Sequence, residues 1–208
     1  LPKKIQKFKQ EKKKQKIQEA ITRGLVYASS GNSIAADAEI KKIDRLIKDT
    51  KETKDIMTLV LKAQNASLKK DRNQLNKIFQ TMGDVEETKM LSYRGLYTLS
   101  KNSKNTQKSI EILKDAETYN SNEPWVMEEM LKCYLMTKNW IGAADIIEKK
   151  YKNKLIQRKD YNIQKAIILT AHAKSIEEDS PDEALNFALE ANKLDKKQII
   201  ATLVSAKI

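Results

Sequence analysis

Five times along the chain a short helical stripe of small and apolar side chains returns, and this recurrence limits the fold more than any single motif. Its clearest copy is SPDEALNFALEANKLD at 180–195, where Ala184, Ala188 and Ala191 are spaced four and three residues apart. That spacing places side chains on one face of a helix. Upstream copies are Ala36, Ile40 and Ile43; Leu75, Phe79 and Met82; Ser109, Leu113 and Ala116; and Ala143 with Ile147, where Lys150 breaks the third position. Counted from their first members, the copies start at 36, 75, 109, 143 and 184, in steps of 39, 34, 34 and 41. Such self-similarity means one supersecondary unit used repeatedly, each copy leaving an apolar face for the next to cover.

Each stripe is preceded by a second amphipathic stretch, at 17–32, 56–71, 88–102, 124–139 and 161–179. Twelve residues before the stripe markers these carry Gly24, Ala63, Leu131 and His172; in the third copy Gly95 stands fourteen before Ser109, which predicts a turn longer by two. Turn signals separate the helices at Gly31-Asn32, Lys70-Asp71, Asn102-Ser103, Lys138-Asn139 and Ser180-Pro181. Five Gly and three Pro in 208 residues leave few breakers, and alternating Val/Ile/Thr runs are missing, so a sheet is not expected. Helix pairs at about 34 residues are the tetratricopeptide pattern. The predicted fold is all-α, a right-handed α-solenoid of about five such pairs over 17–208. Small residues on the stripe let helix axes approach toward the short end of 8–10 Å. KKQIIATLVSAKI (196–208) is read as a C-terminal capping helix, 48–55 as a charged connector, and 148–160 as an extension of the fourth pair into a long projecting helix.

The charge is concentrated. Of a net +12, residues 1–16 hold +7, from Lys3, Lys4, Lys7, Lys9, Lys12, Lys13, Lys14 and Lys16 against Glu11. This is expected to be a solvated helical lead-in that merges with the helix at 17–30. Attraction to an anionic membrane surface is its first functional reading. Nucleic-acid binding has less support, because the run holds one aromatic, Phe8, and no Arg to read base edges. No run of eighteen apolar residues is present to span a bilayer. The chain starts at Leu1 rather than Met, and the expectation is a piece of a longer protein.

Several stretches resemble the HemY family of bacterial inner-membrane proteins. They are YRGLYTLSKNSKNTQKSIEILKDAETY with the following Pro124-Trp125 and Asn139-Trp140, AQNASLKKDRNQLNKIFQTM at 63–82, and EALNFALEANKLDKKQIIATLVSA at 183–206. The resemblance covers the chain from about residue 17 and departs at Lys196-Lys197, where the family usually has Pro. It implies two membrane-spanning helices upstream of Leu1, a soluble repeat domain, and an association with haem biosynthesis, whose enzymes become candidate partners. It carries over no catalytic residues. Lysines beside such spans would favour the cytoplasmic side, with a periplasmic domain as the alternative.

Little here could do chemistry. One cysteine, Cys133, excludes an internal disulfide and reads as a small apolar thiol in a helix contact. The single His172 reads as an interface histidine; an axial haem ligand is the sharper alternative, prompted only by the family. No cofactor and no metal are expected. Glu128-Glu129 and Glu177-Glu178-Asp179 sit at adjacent helical positions, which do not face each other, and read as solvated faces. Trp125 and Trp140 read as packing anchors. The candidate partner groove is a basic-aromatic surface of first helices, carrying Tyr93, Arg94, Tyr97, Lys132 and Lys165. The expected function is a non-catalytic scaffold for a protein or peptide partner. A haem or porphyrin carrier or regulator is the alternative, and nucleic-acid binding through the basic arm the third.

Overall fold

The computed structural model describes residues 3–47 and 55–196, with side chains from Ile5 onward. All but Lys196 of the capping helix expected at 196–208 and all but Asp55 of the connector at 48–55 lie outside those residues. Every regular element among the described residues is helical, as the 3.6-residue periodicity predicts. The chain divides into two compact units, 1–105 and 106–208.

The first unit holds α1 (Lys3–Ser29), α2 (Ser33–Ile47), α3 (Ile56–Leu68), α4 (Arg72–Gly83) and α5 (Lys89–Asn102), the last entered through a 3₁₀ turn at Glu86–Thr88. Each helix packs on its chain neighbours, and α1 also packs on α3. This is the solenoid pattern, in which a pair's first helix leans on the first helix of the next. The second unit holds α6 (Thr106–Tyr119), α7 (Pro124–Met136), α8 (Trp140–Lys152), α9 (Arg158–Ile176) and α10 (Pro181–Leu194), again packed neighbour on neighbour.

One turn is used four times. Gly31, Lys70, Lys104 and Lys138 have φ of 81°, 55°, 55° and 55°, the left-handed conformation that closes a helix. The next residue donates its N–H five residues back, Asn32 to Tyr27, Asp71 to Ala66, Asn105 to Ser100 and Asn139 to Tyr134, at 2.8–3.2 Å. It thereby satisfies a carbonyl that the helix end leaves free. Asn32, Asp71 and Asn139 then cap the following helix, accepting from the N–H of Ala35, Gln74 and Gly142 at 2.9–3.0 Å. The linker has three residues each time, so the longer third turn is not found, and the turn lies at Lys104-Asn105 rather than Asn102-Ser103. The residue twelve before Ser109 is therefore Tyr97, which takes the packed position that Gly24 holds in the first copy.

The same closure ends α8. Lys154 has φ 58° and Leu155 N–H bonds Lys150 O at 2.9 Å. The long projecting helix expected at 148–160 is thus replaced by a five-residue loop, 153–157, whose Ile156 packs back on Ala143, Ala144, Ile147 and Ile168.

The stripes are the core. Ala36, Ile43, Met82, Leu113, Ala116, Ala143 and Ile147 are fully buried. Ala184 and Ala188 lie against Ala173, and Ala191 against Ala166 and Leu169, with Phe187 bridging both clusters. Alanine recurs where two helices meet closely, and neighbours supply the bulk. The break at Lys150 does not leave the stripe: Lys150 is 6% exposed and its ammonium pairs with Glu128 of α7. Its methylenes fill the position while the charge reaches a carboxylate at the rim. Lys150→Met is expected to be neutral or stabilising. Glu128→Ala should cost about 1–2 kcal/mol, less than a fully buried pair because Glu128 is half exposed. Urea midpoints check both, and a Lys150→Met variant that loses more stability than Glu128→Ala would reverse the assignment.

Candidate interaction groove

The first unit contains a groove of about 490 Å³. Its walls are α3, through Val60, Ala63, Gln64 and Ser67, and α5, through Leu91, Arg94, Thr98 and Asn102. The first set falls at i, i+3, i+4 and i+7 and the second steps by three or four residues, so each is one helix face. Leu75, Phe79 and Met82 of α4 form the floor. The groove exists because α3 and α5 do not close on each other as α1 and α3 do.

Gly95 sets the depth of that floor. A Cβ at Gly95 would fall 2.4–2.5 Å from three ring atoms of Phe79, so the ring lies on bare backbone of α5. Gly24 plays the same part lower in the unit, where a Cβ would meet Leu61 Cδ2 at 2.5 Å.

Of the three α5 residues expected in a groove, Arg94 is exposed and lines it. Tyr93 is half buried and not among the lining residues. Tyr97 does not face outward but is 6% exposed, with the Lys101 ammonium 5.5 Å from its ring centroid. The cause is the register described above: measured from Gly95 the tyrosine looks outward, whereas measured from Ser109 it occupies the packed position.

Lys132 and Lys165 belong to the second unit. Lys132 is exposed and pairs with Glu129 at 2.8 Å, and that hydrogen bond raises its pKa. Lys165 is held inside the fold, 3.6 Å from Glu148 and 3.4 Å from Glu190. Burial pulls its pKa down, but Tyr161 and Glu190 outweigh this and the net direction is up. Glu148 is drawn below its usual value, first by Lys152 and then by Lys165. Lys165 is thus largely spent on internal ion pairs. Glu128 and Glu129 engage different lysines, Lys150 and Lys132, and do not form a carboxylate dyad.

His172 packs on Phe187, ring centroids 4.5 Å apart, and both its ring nitrogens are buried without a hydrogen-bond partner among the described residues. The cavity it lines, with Trp140, Lys165 and Glu190, is about 170 Å³, below the roughly 300 Å³ at which sites for drug-sized ligands begin. No group of three or more His, Cys, Asp or Glu side chains among the described residues is placed to hold a metal ion. Cys133 is buried and in no disulfide, and Trp125 and Trp140 are half buried. A haemin titration followed at the Soret band should accordingly give the same curve for the intact chain and for His172→Ala; a band lost only in the variant would make His172 a ligand.

On α1, Lys7, Lys9, Lys12, Lys14 and Lys16 are exposed and Lys13 is half buried, while Lys3 and Lys4 lie in the same helix. At 100° per residue the six lysines of 7–16 spread around the helix rather than along one face. Residues 5–16 form a cationic rod, not a one-faced amphipathic helix. No described helix is long and apolar enough to cross a membrane.

Helix pairs stacked in chain order, joined by a repeated left-handed turn and lined with small residues, define a tetratricopeptide-like repeat protein. A tetratricopeptide-repeat protein from Bacteroides fragilis has a TM-score of 0.56 to this chain at 14% identity, covering 92% of this chain and 99% of its own. A thermophilic tetratricopeptide-repeat protein from Thermus thermophilus covers 92% of this chain and 97% of its own at 16% identity, with a TM-score of 0.41. At such identity the first likeness is one of fold. No family model matches the chain, and no curated protein matches it.

Proposed function

We propose that the protein is a non-catalytic scaffold that binds a protein partner through the groove of its first unit. The observation that carries this is the groove itself: about 490 Å³, walled by two helices and floored by apolar side chains, with no catalytic constellation beside it among the described residues. The repeat fold supports the reading, because stacked helix pairs present such surfaces repeatedly. The test is a photo-crosslinking residue placed at Thr98 on the groove wall and, as control, at exposed Thr22 on α1. The expected result is one adduct specific to Thr98, whose protein binds again as a purified component. Adducts equal at both positions, or a purified pair that does not associate, would sink the proposal.

The finer placement follows from the HemY resemblance alone: a bacterial inner membrane, spans preceding Leu1, and haem-biosynthesis enzymes as partners. The exposed lysine rod supports the membrane part. Each lysine near an anionic leaflet contributes on the order of 1 kcal/mol, and salt screens it. Because the lysines spread around the helix, only some touch a flat surface together. Vesicles with anionic lipid should bind the chain at low salt, release it as salt rises, and fail to bind a chain lacking 1–16. Binding that survives the deletion, or tighter salt-sensitive binding to DNA, would remove the membrane role from the rod.

A further inference from the structure

The second unit has a smaller cavity that the groove does not involve, walled by α8, α9 and α10 and lined by Trp140, Glu148, Lys165, His172, Phe187 and Glu190 among others. We infer that it is a binding site for a small organic ammonium ion that still carries N–H groups. Every lining residue belongs to the second unit, so this site is independent of the scaffold reading.

Size and walls come first. The volume is about 170 Å³, close to that of an engineered cavity of roughly 150 Å³ that holds benzene. It suits a short-chain molecule of about six non-hydrogen atoms. Trp140, Phe187 and His172 supply aromatic surface, and Ile141, Ala144 and Leu169 the apolar remainder. An aromatic face attracts a cation through the ring quadrupole, tryptophan most strongly. The apolar side chains take a carbon tail. Among the described residues no cluster is placed to hold a metal ion, so an ammonium with a carbon chain matches the lining better than a bare metal.

Charge sets the sign. Three carboxylates line the cavity, Asp145, Glu148 and Glu190, against one ammonium, Lys165. Lys165 bridges two of them loosely. Its 3.6 Å to Glu148 and 3.4 Å to Glu190 exceed the roughly 2.7–2.9 Å of a tight ammonium–carboxylate hydrogen bond. Lys152, outside the lining, takes the other oxygen of Glu148 at 2.9 Å. Asp145 is exposed and enters no ion pair among the described residues. Acids therefore outnumber bases even with Lys152 counted, and an anion would be repelled. The net charge of +12 does not offset this, because all of it lies in 1–105. Residues 106–208 carry sixteen Lys or Arg against sixteen Asp or Glu.

His172 asks for the N–H groups. Both its ring nitrogens are buried without a hydrogen-bond partner among the described residues. In the neutral ring one of the two is a bare acceptor, whichever tautomer is present. Burying an acceptor away from any donor is costly. A primary ammonium carries three donors, which is enough for this nitrogen and for the carboxylates of Glu190 and Asp145. A quaternary ammonium has the same charge and no donor, so it separates this requirement from simple attraction.

The experiment titrates the full ¹⁵N-labelled chain with n-pentylammonium and reads the two tryptophan indole N–H signals by nuclear magnetic resonance. Trp140 lines the cavity and Trp125 does not; Trp140→Phe assigns the signals. Ethyltrimethylammonium, 1-pentanol and butyrate, of equal heavy-atom count, are titrated in parallel. The expected result is a saturable shift at Trp140 alone, with the three analogues at least tenfold weaker. Glu190→Gln should weaken n-pentylammonium tenfold or more, and His172→Phe, which keeps a ring there, threefold or more. Circular dichroism melts confirm that the variants fold. Asp145→Asn, which breaks no ion pair, should weaken it threefold and keeps the test open if Glu190→Gln does not fold. No saturable shift, equal shifts at both tryptophans, 1-pentanol or ethyltrimethylammonium binding as well as n-pentylammonium, or folded variants that bind like the intact chain would each overturn the inference. None of these outcomes touches the adduct at Thr98, so the scaffold reading stands or falls separately.

Discussion

Replacing Ala184 by leucine should destabilise the second unit by about 1–3 kcal/mol. Ala184 is fully buried in a cluster with Ala173 and Ala188, edged by Ile176 and Phe187. Three further carbons there must either push α10 away from α9 or force neighbours off their rotamers. Retreat is not local, since Ala188 and Ala191 hold the next turns of the same helix close to α9. Both tryptophans, Trp125 and Trp140, lie in this unit, so intrinsic fluorescence in urea reports on it. The midpoint should fall with the slope unchanged. Leu189→Ala, on the exposed side of α10, should stay within about 0.5 kcal/mol. An Ala184→Leu midpoint as high as the original would mean that the alanine stripe is not a packing surface.

That stripe was readable in the sequence because helical spacing and side-chain size are local properties, and the burial of Ala36, Ile43, Ala143, Ile147 and Ala184 follows from them. The turns at Gly31-Asn32, Lys70-Asp71 and Lys138-Asn139 were readable through their capping residue. The third was displaced by two because Asn102 and Ser103 look like turn formers, whereas the left-handed residue is Lys104. A lysine carries no left-handed signature, and the same blindness turned the loop at 153–157 into an expected helix. Each displacement propagates: a two-residue error in register moved Tyr97 from the packed face to the exposed one. Lys150 showed as a break because pattern reading weighs charge and not the reach of a long side chain to Glu128. The groove lay furthest from the sequence. Arg94 was named for it, but its walls depend on α3 and α5 standing apart, and its floor on Phe79 meeting Gly95. Those are relations between helices that no periodicity within one helix contains.

The Phe79–Gly95 contact yields the second large effect, a change of sign. In isolation Gly95→Ala should gain up to about 1 kcal/mol, because glycine is a poor helix former. Here the new methyl would meet three atoms of a ring that cannot shrink, at 2.4–2.5 Å, and overpacking of about 1–3 kcal/mol should outweigh the gain. Phe79→Ala alone should cost about 3 kcal/mol, at the low end for phenylalanine because the side chain is half buried. In that background the obstacle is gone, and Gly95→Ala should become stabilising. The double-mutant cycle then shows a coupling well above the roughly 0.3–0.5 kcal/mol scatter of independent sites. Additive effects would mean that the ring does not lie on α5. A further consequence separates stability from function. Phe79 lines the groove, so a ring displaced by the added methyl yields into that open space. A Gly95→Ala chain that is still folded should therefore lose the adduct formed through Thr98 by the intact one, and full retention of that adduct would show that the floor does not depend on this glycine.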